Sequence, residues 1–213
     1  MAEVIPFKGL RYNTDIVGDI SKVTTPPYDI ISKKEQESFY NLSPYNSIRL
    51  ELSKELPDDK DYDNKYTRAG ETLRDWLDQE VLLREKSDCF YIYQQEFQLQ
   101  DGKSYARTGL VGLVKLEEFS KGVILPHENT LSKPKADRLQ LMRSCNANFS
   151  QVFGLYDDTK QIIPALINDY LTKHEPDTLM EDDGVGTIER IWVVHDTELT
   201  QKISEAFQGQ KLY

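Results

Sequence analysis

The chain has 213 residues and a formal charge of −10, with 36 acidic against 26 basic side chains. Its length allows a real core in one domain or two, and 38% hydrophobic with 29% charged residues reads as globular with a polar surface. The acidic balance argues against nucleic acid and against an anionic membrane as partners, because phosphate contacts need clustered Lys and Arg.

The opening MAEVIPFKGL carries charge and a proline where the apolar core of a secretory signal would lie. No apolar run approaches the ~20 residues of a transmembrane helix, so a cytoplasmic protein is expected. The two cysteines, Cys89 and Cys145, show no metal-type spacing with each other or with the three histidines. Both sit in apolar patterns, which predicts buried thiols outside any disulfide.

In chain order, Ile5 to Asn13 reads as a short strand with a bend, and Val17 to Thr25 as a weaker strand or loop. TPPYDII (Thr25–Ile31) holds Tyr28 and Asp29 on a loop stiffened by two prolines, as binding loops require. Ser32 with Glu35 three residues later makes a capping box, and a helix runs from Lys33 to about Leu42. Ser47 to Leu52 (SIRLEL) alternates cleanly and predicts a half-buried strand, with Arg49 on its polar face reaching toward a cleft or toward solvent. The acidic stretch Lys54–Asn64 reads as a solvated connection. Tyr66, Ala69, Leu73, Trp76 and Leu77 recur at three and four, an amphipathic helix to about Val81.

Asp88–Gln100 and Tyr105–Phe119 are strand patterns joined by Asp101-Gly102, the strongest hairpin signal in the chain. A helix follows from near Ser132 to about Asn146, with Leu139, Met142 and Cys145 expected in its buried stripe. Phe149–Tyr156 reads as a strand, Lys160–Lys173 as a helix, and Glu189–His195 as a buried strand. Asp196 or Thr197 caps a last helix that Gly209 ends, and Lys211-Leu212-Tyr213 opens a further strand. The fold class expected is α+β: one domain over residues 1–213, its mixed or antiparallel sheet built on a long central hairpin, with about five helices packed on it.

Reactive chemistry concentrates in LPHENTLSKPKADR, Leu125 to Arg138. Ser132 is read as N-cap and Pro134 suits the first turn. A helix start leaves four peptide N–H groups without intrahelical partners and favours negative charge. Lys135 and Arg138, three apart, share a face there and could clamp a phosphate or carboxylate, with Thr130 just upstream. His127 or Glu128 could act as general base, and Asp137 could hold a metal such as Mg²⁺. Against this stand ordinary roles: Asp137 complements the helix dipole or pairs with Lys133, and Arg138 reaches a carboxylate elsewhere. No Gly-rich phosphate loop, GxSxG elbow, HExxH or paired-cysteine motif is present.

TPPYDII, SPYNSIRLEL, RTGLVG and ILPHENTLSKPKADRLQLMRSCNANFSQVFGLY together resemble an uncharacterised prokaryotic family, the domain of unknown function numbered one thousand and fifteen. The resemblance covers most of the chain in the family's order. It implies a longer parent of which this would be the N-terminal half, continued by a segment similar to the DGxHR motif of the ParB and sulfiredoxin-like fold, whose enzymes bind nucleotides or phosphates. Two functional readings follow. In the first, the chain is the half-site of a phosphate- or nucleotide-linked enzyme acting on a small anionic or phosphorylated metabolite by phosphoryl transfer or hydrolysis. Its own C-terminal segment then completes the cleft. In the second it is a non-catalytic binding or scaffold domain with an acidic surface, and the charged stretch ties a loop to a helix through internal ion pairs.

Overall fold

A computed structural model describes residues 2–126, 131–181 and 186–213. In chain order its elements are β1 (Val4–Ile5), β2 (Leu10–Tyr12), α1 (Thr14–Val17), α2 (Lys33–Leu42), α3 (Ile48–Glu51), α4 (Lys65–Asp78), β3 (Leu82–Arg84), β4 (Phe90–Gln98), β5 (Ser104–Val111) and β6 (Leu113–Val114). They continue with α5 (Ser132–Cys145), α6 (Ile162–Leu171), β7 (Thr178–Met180), β8 (Ile188–Val194) and α7 (Thr197–Phe207). The chain is α+β. It divides into two compact units: Met1–Gly9, Arg84–Glu128 and Phe153–Tyr213 in one, Leu10–Leu83 and Asn129–Val152 in the other.

The first unit is built on the predicted hairpin. Gly102 takes a φ of +75°, which the turn requires and which an L side chain resists. Asp101 braces it by accepting from the Lys103 N–H at 3.0 Å. β4 then pairs antiparallel with β5 and, on its other edge, with β8, giving a four-stranded sheet in the order β5-β4-β8-β7. One face presents Phe90, Ile92, Trp192 and Val194, covered by Ile163 and Ile167 of α6 and by Ile203 and Phe207 of α7. Each such side chain taken fully out of water contributes about 1.5–3 kcal/mol. The opposite face carries a smaller cluster of Cys89, Tyr91 and Val193 with Phe7 against it. Asp158, buried, accepts the Ile163 N–H at 2.7 Å and so holds the start of α6, where the Gln161 side chain caps no helical N–H and instead donates to Asp158 O at 2.8 Å. Asp196 caps α7 through the Glu198 and Leu199 N–H groups.

The second unit is mainly helical. Leu73 and Trp76 of α4, Leu50 of α3, Val81 and Leu82 make its core. Tyr12 and Tyr45 set their rings against Trp76, and the Tyr12 hydroxyl donates to Tyr45 O at 2.9 Å. Both capping boxes, Ser32 with Glu35 on α2 and Asn64 with Thr67 on α4, are formed.

Several expectations are corrected. SIRLEL is one turn of helix, α3, rather than a strand. Buried Asn46 fixes that turn: its Oδ1 accepts the Ile48 N–H at 3.0 Å while its Nδ2 donates to Lys22 O and Thr24 O. Ile48 and Leu50 are then both covered without alternating faces of a sheet. In Val17–Thr25, expected as a weak strand or loop, Val17 ends a short helix that starts at Thr14 and Ile20–Lys22 is a 3₁₀ turn. The second hairpin arm stops at Val111, and Leu113–Val114 changes partner to β1, leaving Leu116 90% exposed. Phe149–Tyr156 forms no named strand. Val152, Phe153 and Leu155 face solvent, and only Tyr156 bridges Leu212. On α5 the buried residue is Leu141, while Leu139 and Met142 are exposed. Leu212 does enter strand-like pairing, parallel to Ile124 and antiparallel to Tyr156.

Candidate functional site

Helix α5 begins one residue earlier than its capping signal suggests. Leu131 occupies the cap position without a side-chain bond, and Ser132 is the first helical residue. His127, Glu128 and Thr130 lie outside the described residues. Lys135 is exposed and makes no ion pair with any described residue. Asp137 and Arg138, one turn further, are half-buried and fully engaged.

The Arg138 guanidinium is used on all three nitrogens. Nε and Nη2 donate to Asp137 Oδ2 at 3.0 and 2.6 Å, and Nη1 donates to both Glu51 O and Glu51 Oε2 at 3.0 Å. Its flat face lies over the Tyr28 ring, 3.8 Å from the centroid, a stacking geometry that Lys could not reproduce. Asp137 Oδ1 in turn receives the Tyr66 hydroxyl at 2.7 Å and Lys65 Nζ at 2.9 Å. Lys65 also reaches Glu55 at 2.9 Å, and Ser150 Oγ donates to Glu51 Oε1 at 2.7 Å. One connected network therefore joins α3, α4, α5, the Tyr28 turn and Ser150.

Electrostatics follow from this geometry. Burial opposes ionisation of Asp137, but hydrogen bonds from Tyr66, Lys65 and Arg138 outweigh it and hold the carboxyl at about 2. Burial likewise opposes the charge on Lys65, yet Glu55 and Asp137 push its pKa well above the ordinary lysine value. The Tyr66 hydroxyl is raised by burial and by its bond to Asp137. The pocket lined by Glu51, Leu52, Ser53, Lys65, Tyr66, Arg138 and Leu141 has a volume of about 10 Å³. That is room for about one water.

The structure brings Tyr28, Asp137 and Arg138 together and leaves Arg49 and Asp29 elsewhere. Arg49 donates to Tyr40 O and Pro44 O at 2.8 Å and stacks on the Tyr40 ring, tying α2 to α3. Asp29 is exposed on its 3₁₀ turn. Sequence reasoning missed Glu51, Lys65, Tyr66 and Ser150. Glu51 was hidden by its placement on a strand, and no local pattern links it to Arg138, 87 residues away. The acidic stretch before α4 is tied down rather than merely solvated: Arg68 contacts Asp59 at 2.8 Å, Asp63 at 3.2 Å and Lys54 O at 2.8 Å. Among the described residues no helix is long and apolar enough to cross a membrane.

Residues 4–213 match a family described as a protein of unknown function, DUF1015, and the chain belongs to it. No curated protein and no solved structure matches the chain.

Proposed function

We propose that this chain is a non-catalytic binding or scaffold domain in which Asp137 and Arg138 serve as a structural clamp. The observation that carries this reading is the saturation of Arg138: every guanidinium nitrogen bonds to Glu51 or Asp137. A phosphate arriving there would have to displace partners already in place, and the adjoining pocket, about 10 Å³, admits no phosphoryl group. Breaking a desolvated ion pair by removing one partner leaves an uncompensated charge and costs several kcal/mol, whereas an exposed pair is worth under about 1 kcal/mol. At the intermediate burial of Arg138, Arg138→Ala is expected to cost about 2–3 kcal/mol. Lys135→Ala, on an exposed side chain, is expected to stay within about 0.5 kcal/mol. Urea unfolding of the two variants measures both. Equal, small losses would remove the clamp reading.

A second reading draws on the start of α5, where the cap residue Leu131 offers no side-chain bond and Lys135 pairs with no described residue. There the chain would be the half-site of a phosphoryl-transfer or hydrolytic enzyme. Lys135 would bind an anionic metabolite, His127, Glu128 and Thr130 would act from the preceding segment, and a C-terminal segment of ParB-like kind would complete the cleft. Asp137 would take Mg²⁺ only by exchanging the donors it now accepts from. Phosphate and ATP, with and without Mg²⁺, decide it in a thermal-shift titration. A ligand that binds only the folded chain, at 100 times its Kd, adds about 2.7 kcal/mol. No shift is expected with this chain, and a shift abolished by Lys135→Ala would favour the enzyme.

A further inference from the structure

Strand register brings together a cysteine and a histidine that the sequence keeps far apart. The β4–β8 ladder ends at Phe90↔Val194, and continuing its register by one residue sets Cys89 opposite His195. Residues directly opposite on antiparallel strands project from one face with Cβ atoms ~4.5–5.5 Å apart. Glu85 arrives by a separate route. Its N–H donates to Gly9 O at 3.0 Å, and the chain then returns to the Phe7↔Cys89 bridge. The Cys89 sulfur, a His195 ring nitrogen and a Glu85 carboxylate oxygen consequently lie within 4.8 Å of one another.

The donor spacing suits a metal ion. His195 Nε2 stands 3.4 Å from Glu85 Oε2. Bonds of ~2.0–2.2 Å to one tetrahedral Zn²⁺ place nitrogen and oxygen donors roughly 3.3–3.5 Å apart. The other ring nitrogen, Nδ1, lies 3.1 Å from Ser87 Oγ. A ligating histidine is held in this way, its second nitrogen bonded to an outer partner that fixes both tautomer and ring orientation. A sulfur, an imidazole and one carboxylate form a mixed set suited to a borderline-soft ion, whereas Mg²⁺ and Ca²⁺ require oxygen donors.

We propose that Glu85, Cys89 and His195 form a mononuclear binding site for a divalent transition cation, Zn²⁺ being the ion the donor set fits best. Binding transfers the Cys89 thiol proton to solvent and replaces that thiol's 3.5 Å contact with Phe7 O by a sulfur–metal bond. The imidazole binds neutral through Nε2, with Nδ1–H donating to Ser87 Oγ. Cys89 is fully buried while the His195 side chain is 46% exposed, so the ion enters from the His195 side and water takes the fourth position. This site lies in the sheet-bearing unit and rests on no part of the clamp reading.

The test uses the full 213-residue chain, stripped with chelator and dialysed against Zn²⁺, with Co²⁺ as a spectroscopic probe. The expected result is one Zn²⁺ per chain and a thiolate-to-cobalt charge-transfer band, both lost in Cys89→Ser. Because Cys89 sits in a core, the more exposed pair Glu85→Gln and His195→Asn provides a second route, checked for folding by circular dichroism, and each should weaken binding at least tenfold. Ser87→Ala, which removes only the outer partner, should weaken it by about 10-fold. Substoichiometric metal, a cobalt spectrum without the thiolate band, or full affinity in the folded Glu85→Gln and His195→Asn variants would overturn the site.

Discussion

Asp137 is where the charge of the helical unit converges, taking bonds from Tyr66, Lys65 and Arg138 on two oxygens. Its folded pKa of about 2 lies below the ordinary 3.8. A carboxyl depressed in this way contributes stability that is present above the unfolded pKa and lost as pH falls through the folded one. The difference corresponds to roughly 2 kcal/mol, lost between about pH 4 and pH 2. Asp137→Asn should therefore lower stability at neutral pH by about that amount and flatten the acid limb of the curve, which urea titrations from neutral to acid pH would read. An unchanged acid limb would contradict the assignment. Asn46 makes a comparable case without charge. It is fully buried and serves Lys22 O, Thr24 O and the Ile48 N–H at once. Asn46→Leu removes these three hydrogen bonds and is expected to cost about 1–3 kcal/mol in chemical denaturation. A neutral result would mean that water replaces the amide.

At the scale of elements, the legible features were those whose physics is local. The Asp101-Gly102 turn, the Ser32–Glu35 box and the Asp196 cap each follow from residues within a few positions, and each is formed. SIRLEL failed for a physical reason: a two-residue alternation fits one helical turn covered on both sides as well as it fits a strand. What decided was Asn46, whose partners lie 22 and 24 residues upstream. FSQVFGLY failed in the opposite sense, since Val152 and Phe153 are apolar in sequence yet 89% and 64% exposed. The packing of α4 on α5 was not legible at all. It depends on Gly70, where a Cβ would stand 2.6 Å from the Ser144 backbone oxygen. Backbone cannot yield as a side-chain tip does. Gly70→Ala should thus force the helices apart and lower the melting temperature despite alanine's better helix propensity. A raised melting temperature would show that propensity outweighs the clash.

For the whole molecule, the order of strand and helix patterns pointed to the class, α+β, and the resemblance to the family, to which residues 4–213 belong. The candidate site was legible only in part. Density of charge pointed to Asp137 and Arg138, and the double proline to Tyr28. Their partners Glu51, Lys65 and Tyr66 come from segments 71 to 87 residues away in sequence, beyond any spacing argument. The Glu85–Cys89–His195 cluster was invisible for the same reason, since it is made by strand register. The proposed clamp role of Arg138 is checked by a double-mutant cycle between Glu51→Gln and Arg138→Met, read by urea unfolding with and without phosphate. The clamp predicts a coupling energy of about 1–3 kcal/mol and no effect of phosphate. Zero coupling, together with phosphate stabilisation that Arg138→Met abolishes, would contradict it and make Arg138 a ligand-binding residue.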